Sequence, residues 1–283
     1  MARKVRRALV VIGGHEDRTG SKRVLDEVAR RAGKGPLVVT TVASREPDGL
    51  FEIYEKAFHD LGVKDVRCLR LGDRAEALDE KNSRILEEAT GLFFTGGDQL
   101  RITSQIGDTP VYQRAHALYD RGAVLAGTSA GASVMSAVMM VSGTGEASHV
   151  LGDSLRLAPG FGIVDGMIFD QHFAERRRIS RLLTAVAQNP RELGIGIDEG
   201  TGVVIEDERD LSVVGDGAVY ILDGAGITSS NIAEGHQGQT VAVFDLRVHV
   251  LCPGDRFDLR ARLPSAGESH LPDVPEVAAA ADR

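Results

Sequence analysis

The sequence predicts an α/β fold with a doubly wound, mostly parallel sheet, flanking helices and an antiparallel C-terminal extension. Three observations lead to this prediction. Short apolar runs alternate with longer amphipathic stretches through the first half of the chain, and each run is apolar on successive residues, as in strands covered on both faces. The 33 glycines are scattered without a short period, which favours many tight turns. Apolar residues make up 42% of the 283 residues, enough for a sizeable core.

Five apolar runs are the predicted parallel strands. They cover residues 8–12, 37–42, 66–71, 91–95 and 123–126. In such sheets ligands bind beyond the carboxyl ends of the strands. The turns that begin at Gly13, Gly96 and Gly127 should therefore converge on one crevice.

The C-terminal part of the chain has a different pattern. From about residue 194 the apolar runs are shorter and are separated by turn-like pieces rich in Gly, Asp and Glu, which predicts antiparallel strands. After Leu263 the sequence is rich in Pro, Ala and acidic residues with little periodicity. We therefore expect one domain over residues 1–263 and a disordered tail over residues 264–283.

Composition and charge exclude several classes of function. A formal net charge of -8 gives no overall field that attracts a nucleic acid. No stretch approaches the roughly 20 apolar residues of a membrane helix. Cys68 and Cys252 are far apart without a CxxC pair, so neither a zinc knuckle nor a disulfide framework is expected. The apolar run after the basic start ends at Gly13, too short for a signal peptide, which favours a cytoplasmic location.

The strongest local motif is GxSxG at residues 127–131, with Ser129 at its centre. It follows the predicted strand 123–126 and precedes the helix-compatible run Ala132 to Val138, which is the setting of a nucleophile elbow. The amide of Ala130 would then point at a developing oxyanion. The alternative is a serine that only caps a helix in a glycine-rich turn.

A serine nucleophile needs a base and a group that orients the base. Of the eight histidines, only His172 closes an apolar strand, which should bring its ring to the same sheet edge as Ser129. The alternative is a histidine that merely ends a strand. Another short strand ends at Asp198 and Glu199. Because successive strand residues point to opposite faces, one of the two faces the crevice, and the pattern leaves open which.

Further oxyanion donors are expected in the turn Thr95 to Gln99, which lies beside the nucleophile strand. Its glycines allow close approach of the backbone to a substrate, and the donors would be the amides of Gly97 and Asp98. The alternative is an ordinary turn between a strand and a helix.

The segment after His172 has helical periodicity. Its core-facing positions would be Ile179, Leu182, Leu183 and Val186, and the opposite face would carry Arg177, Arg178 and Arg181. Arg176 lies near the boundary, beside the predicted base, and is the best local candidate for binding an anion. A solvated charged face is the alternative for Arg177.

With these residues in place, the chain resembles the cyanophycinases, within the serine peptidases that also include the alpha-aspartyl dipeptidases. The likeness extends from about Leu9 to Leu222. Its segments are VVIGGHED at 10–17, FFTGGDQLRIT at 93–103, GTSAGAS at 127–133, DQHFAERRRISRLL at 170–183 and GIGIDEGT at 194–201. Two positions depart from the expected pattern, Glu175 and Phe161.

The resemblance implies a sheet like that of class I glutamine amidotransferases and a triad of Ser129, His172 and Glu199. The implied substrate groove is lined by Gln99, Asp170, Gln171, Arg176, Arg178 and Arg181. The implied reaction is hydrolysis of cyanophycin, a poly-aspartate with arginine on each β-carboxyl, to β-aspartyl-arginine through an acyl-serine. A homodimer is implied, and no metal or cofactor is.

Two other functions stay open: a peptidase acting on short aspartyl peptides, and a non-catalytic binding protein of the same fold. The order Ser, His, acid differs from the order in α/β-hydrolases, which disfavours a lipase or an esterase. A class I glutamine amidotransferase would carry cysteine in place of Ser129.

Overall fold

The computed structural model describes residues 6–142, 155–236 and 238–267. The strands are β1 (Ala8–Ile12), β2 (Leu37–Thr40), β3 (Val66–Leu69), β4 (Gly91–Phe94), β5 (Val124–Thr128), β6 (Val138–Ser142), β7 (Arg156–Pro159), β8 (Met167–Gln171), β9 (Leu193–Ile197), β10 (Thr201–Glu206), β11 (Asp210–Gly215), β12 (Val219–Asp223), β13 (Ser229–Ser230), β14 (Val243–Phe244), β15 (Arg247–Leu251), β16 (Arg256–Asp258) and β17 (Leu263–Ser265). The helices are α1 (Arg23–Ala32), α2 (Pro47–Asp60), α3 (Arg74–Leu78), α4 (Glu80–Ser83), α5 (Gln99–Ile106), α6 (Pro110–Asp120), α7 (Ala130–Ser133) and α8 (Ile179–Gln188).

The main sheet has nine strands in the order β17-β16-β11-β10-β1-β5-β4-β2-β3. Strands β1 to β5 pair in parallel, and they occupy the five apolar runs that the sequence predicts as strands. On the other side of β1, strands β10, β11, β16 and β17 add in antiparallel register. The predicted α/β fold with parallel strands, helices and an antiparallel extension is confirmed.

The two faces of this sheet explain why the strands are apolar on successive residues. In β1, Leu9 and Val11 pack into one buried cluster, with α5 and α6 above them. Val10 and Ile12 point the other way into a second cluster under α1 and α2. Every residue of β1 is buried, so neither face tolerates polar side chains.

A second sheet corrects one expectation from the sequence. The strands that precede His172 and Asp198 are β8 and β9, and they pair in parallel inside a separate four-stranded sheet of order β15-β12-β9-β8. The end of this sheet meets the end of β1, because the His172 amide donates to the Gly13 carbonyl at 2.8 Å. Only glycine fits at position 13, since a Cβ there would lie 2.1 Å from the carbonyl oxygen of Asp198. The base therefore reaches the serine from a neighbouring sheet.

Two predicted helix boundaries were wrong. The helix after Ser129 ends at Ser133 rather than Val138, because the carbonyls of Val134 and Met135 accept hydrogen bonds from the facing segment 161–164. The helix after His172 begins only at Ile179, and residues 174–178 form turns.

The predicted tail overlaps the last strand. Residues Leu263–Ser265 pair with β16, so the sheet continues past the boundary predicted at 263, and the described chain extends to residue 267. The part of the predicted tail from 268 to 283 lies outside the described residues. Of the helices in the described ranges, none has the length and apolar character needed to cross a membrane.

Candidate active site

Ser129 lies in the sharp turn between β5 and α7. Its backbone has φ 52° and ψ −110°, a left-handed φ that a non-glycine residue rarely adopts and that surrounding contacts must hold. One such contact is the hydrogen bond from the Ser129 amide to the Ile12 carbonyl at 3.0 Å. The flanking glycines allow tight packing, because a Cβ at Gly127 would lie 2.2 Å from the Gly131 carbonyl oxygen. The serine hydroxyl is thus presented at the carboxyl end of the parallel strands.

A hydrogen-bonded chain joins three of the predicted site residues. The Ser129 hydroxyl lies 2.9 Å from Nε2 of His172, and Nδ1 of His172 lies 2.6 Å from Oε1 of Glu199. This geometry suits the neutral tautomer in which Nδ1 donates to the carboxylate and Nε2 accepts from the hydroxyl. The three side chains have the arrangement of a nucleophile, a base and an orienting acid.

Asp198 faces away from His172 and holds the backbone instead. Its Oδ1 accepts from the amide of Ala174 at 3.0 Å, and its Oδ2 accepts from the amide of Ala218 at 3.1 Å. Asp198 is buried, whereas the Glu199 side chain is 28% exposed. In the turn that follows β9, Glu199, and not Asp198, therefore contacts the imidazole.

Burial and neighbouring charges set the protonation of His172. Burial lowers the pKa of His172 below its ordinary value, the Glu199 hydrogen bond opposes this shift, and the positive charge of Arg176 adds to it. A lowered pKa leaves the ring neutral near pH 7, which is the form that can accept a proton from Ser129.

The charge of Arg176 should be visible in the pH profile of the enzyme. Arg176→Ala removes a cation that lowers the pKa of His172, so that pKa should rise and the acid limb of kcat/KM should move to higher pH. Initial rates measured from pH 4 to 9 test this. The control is Arg177→Ala, an exposed neighbour for which the profile should stay in place. An unchanged limb in Arg176→Ala would show that solvent screens its charge from the imidazole.

The predicted oxyanion donors are only partly available. Within the described residues, the amides of Gly97 and Ala130 donate no hydrogen bond to the protein. The Asp98 amide, in contrast, donates to the Ala43 carbonyl at 3.0 Å, and the Asp98 side chain caps α5. The predicted role of Asp98 as an oxyanion donor is therefore wrong, because its amide hydrogen is already bonded to the Ala43 carbonyl.

The predicted arginine face was wrong for two of its three residues. Arg178 and Arg181 are buried, whereas Ile179, expected in the core, is 44% exposed. Both guanidinium groups turn inward to Asp170, whose side chain is fully buried: Nε of Arg181 lies 2.8 Å from Oδ2, and Nη1 of Arg178 lies 3.3 Å from Oδ1. Burial lowers the pKa of Arg178 to about 10, which still leaves it charged near neutral pH.

The two glutamines among the predicted groove residues are also held by the protein. Nε2 of Gln171 donates to the Ser133 hydroxyl at 3.2 Å, and Oε1 of Gln171 accepts from Arg178 at 2.5 Å. Nε2 of Gln99 donates to the Met140 carbonyl at 3.0 Å. The contacts of Gln171 connect the buried Arg178 to α7, the helix that follows the serine.

Several residues at the site escaped the sequence analysis. A cavity of about 200 Å³ beside Ser129 is lined by His15, Glu16, Arg18, Leu50, Tyr54, Gly96, Thr128, His172 and Arg176. The buried carboxylate of Glu16 accepts hydrogen bonds from the hydroxyls of Tyr54 and Thr128, and Thr128 directly precedes the serine. The signal was the polar run His15–Glu16 directly after the turn that ends β1.

The hydrogen-bonded contacts of Ser129, His172 and Glu199 have the arrangement found in serine hydrolases with a Ser-His-acid triad. The chain belongs to peptidase family S51, whose pattern matches residues 9–213, and it is a serine-type peptidase.

Known proteins extend the match beyond the family pattern. The cyanophycinase of Synechococcus elongatus is 38% identical over 256 residues, which cover 89% of this chain and 79% of that protein. The cyanophycinase of Geminocystis herdmanii is 37% identical over 94% of this chain and 99% of its own. A crystal structure of a peptidase from an acI-B1 actinobacterium aligns with TM-score 0.67 and 22% identity over 90% of this chain and 98% of that chain, which bears on the fold alone.

Proposed function

We propose that this chain is a cyanophycinase that releases β-aspartyl-arginine dipeptides from cyanophycin. The hydrogen-bonded chain of Ser129, His172 and Glu199 carries the proposal, since it supplies the chemistry of peptide hydrolysis. The substrate comes from the relatives, which bear the name cyanophycinase and are 37–38% identical to this chain over most of its length.

The proposed reaction proceeds in two steps on Ser129. Nε2 of His172 takes the hydroxyl proton as the oxygen attacks the scissile carbonyl, and the amides of Gly97 and Ala130 stabilise the oxyanion. The imidazolium then gives its proton to the leaving amine, which leaves an acyl-serine. Water, deprotonated by the same imidazole, releases the acid product and restores the hydroxyl. Glu199 stays ionised and keeps Nδ1 protonated.

Arg176 is the proposed carboxylate binder next to the triad. Its exposed side chain lines the cavity that contains Ser129 and His172, and an arginine fork holds a carboxylate bidentately. Direct binding by Asp170 or Arg181 would require opening their buried ion pair. We therefore propose that Asp170, Gln171, Arg178 and Arg181 support the groove from behind, with Gln99 fixed at its edge.

A larger cavity, of about 730 Å³, begins at the same turn and provides room for a polymer. Asp98, two residues from Gly96, lines this cavity together with Arg45 and Arg101. Cyanophycin repeats a guanidinium and a carboxylate at every residue, so a groove of mixed charge suits it. We propose that residues beyond the scissile unit bind here.

The cavity predicts a difference between long and short substrates. Arg101→Ala should raise KM for the polymer by about tenfold, the loss of one charge-assisted contact, and leave KM for a two-unit substrate, the shortest that contains a scissile bond, within about twofold. Arg30→Ala, an exposed arginine on α1, is the matched control. Equal changes for both substrates would place the contact at the scissile unit instead.

Mass spectrometry of the soluble product tests the proposed function. Purified cyanophycin incubated with the protein should release β-aspartyl-arginine, and Ser129→Ala protein should release none above background. Intact polymer together with rapid cleavage of an alpha-aspartyl dipeptide would replace the proposal with the short-peptide peptidase. No hydrolysis of either substrate would favour a non-catalytic binding protein.

We include in this proposal the predicted details of the fold and of the assembly. The position of Ser129 after the fifth strand of a parallel sheet supports a nucleophile elbow and a sheet like that of class I glutamine amidotransferases. A homodimer rests on the resemblance to cyanophycinases and would be tested by sedimentation velocity, with monomer at all concentrations as the contrary result.

A further inference from the structure

We propose that His15, His172 and Glu199 form a zinc site through which Zn²⁺ reversibly inhibits the enzyme. The site uses two members of the triad and one residue outside it. The candidate donors are a ring nitrogen of His15, a ring nitrogen of His172 and a carboxylate oxygen of Glu199, and one donor atom from each residue lies within 4.8 Å of the other two. Two imidazoles and a carboxylate are a donor set that Zn²⁺ takes in proteins.

The distances fit an ion after a small adjustment. Zinc bonds of about 2.0–2.2 Å separate ligands in a tetrahedral shell by about 3.4 Å. Nε2 of His15 lies 3.8 Å from Oε1 of Glu199, close to that separation. Nδ1 of His172 lies 2.6 Å from the same oxygen, so binding must widen this separation by about 0.8 Å and move the carboxylate aside from the position that the ion takes opposite Nδ1.

The side chains that would move are those exposed to solvent. The His15 side chain is 65% exposed and the Glu199 side chain 28%, so a hydrated ion can reach both and keep water as its fourth ligand. The two imidazole rings stand edge to face with centroids 5.3 Å apart, so the two rings are neighbours at the site. Arg176 lines the same cavity, and its positive charge sets a limit on the affinity.

Zinc at this position would disable the base. In the active form Nδ1 of His172 carries the ring proton and Nε2 offers its lone pair to Ser129. When Nδ1 gives its lone pair to Zn²⁺, the ring proton moves to Nε2, and the imidazole stays neutral overall. An Nε2 that already bears hydrogen cannot accept the serine proton, so turnover stops until the ion leaves. Chelation with EDTA should therefore restore activity rather than remove it.

Direct binding tests the site without a substrate. Full-length Ser129→Ala protein keeps all three ligands, and calorimetric titration with Zn²⁺ should give one ion per chain. Adding His15→Ala should weaken this binding by about tenfold or more. His15 has φ 49°, a value that asparagine tolerates, so His15→Asn is the second variant if the alanine protein fails to fold. His236→Ala, at an exposed histidine elsewhere, should bind as before.

Inhibition gives the second readout. The Zn²⁺ concentration for half inhibition should rise by about tenfold or more in His15→Ala or His15→Asn, each compared with its own zinc-free rate. Equal inhibition of wild type and both variants, or binding that persists without His15, would overturn the proposal. Because calorimetry needs no turnover, an incorrect substrate assignment would leave the binding result interpretable.

Discussion

Replacing Ser129 with alanine is expected to lower kcat for cyanophycin hydrolysis by about 10⁴-fold or more, and His172→Ala should cost about as much. The reason is that the hydroxyl and Nε2, 2.9 Å apart, act as one unit: neither attacks the carbonyl without the other. The double mutant should therefore be scarcely slower than either single mutant.

Release of dipeptide over time, at saturating substrate, measures this effect. The matched histidine control is His59→Ala, because His59 lies outside the site and its Nδ1 contacts only a backbone carbonyl, that of Val63. Thermal unfolding of each variant separates lost chemistry from lost fold. If the loss in the double mutant equalled the product of the two single losses, the two side chains would be acting independently, contrary to the triad.

The second large effect is expected for Glu199→Gln, with a loss of about 10³- to 10⁴-fold in kcat. A glutamine amide can donate to Nδ1 of His172, which favours the tautomer with hydrogen on Nε2, and that tautomer cannot accept the serine proton. Asp198→Asn should change kcat far less, because Asp198 accepts from two backbone amides and does not contact the imidazole.

Asp198→Asn should instead lower the melting temperature, since a buried carboxylate with two amide donors would be replaced by a group that matches only one of them well. Circular dichroism melts and kcat measured on the same preparations distinguish the two residues. A larger loss of kcat in Asp198→Asn than in Glu199→Gln would reverse their proposed roles.

Much of the fold was predictable because its determinants are local. The parallel strands of the main sheet are buried on both faces, and this leaves continuous apolar runs that are visible in the sequence. The site followed from the same logic, since polar residues that directly follow such runs lie at the sheet edge. Ser129, His172 and Glu199 all occupy such positions.

What could not be predicted depends on contacts between distant segments. The membership of β8 and β9 in a second sheet is set by pairing with β12 and by the packing of that sheet's end on Gly13. An apolar run does not show which strand it pairs with. The sequence therefore predicts that the run before His172 belongs to the main sheet, whereas it lies in the second sheet.

The buried positions of Arg178 and Arg181 could not be predicted for a related reason. A helical projection places arginines in solvent by default, whereas the buried Asp170, on another element, makes an inward position favourable for Arg178 and Arg181. Glu16 was missed in the same way, because the hydroxyl donors that stabilise its buried carboxylate come from α2 and β5.

Labelling with a fluorophosphonate probe tests most directly the claim that Ser129 is an activated nucleophile. Native protein should take up one equivalent of probe, and peptide mapping should place the adduct on Ser129. Labelling should be lost in Ser129→Ala and strongly slowed in His172→Ala, since the probe reacts with a serine that a base has activated. Absence of labelling in a protein that hydrolyses its substrate, or an adduct on another residue, would contradict the account.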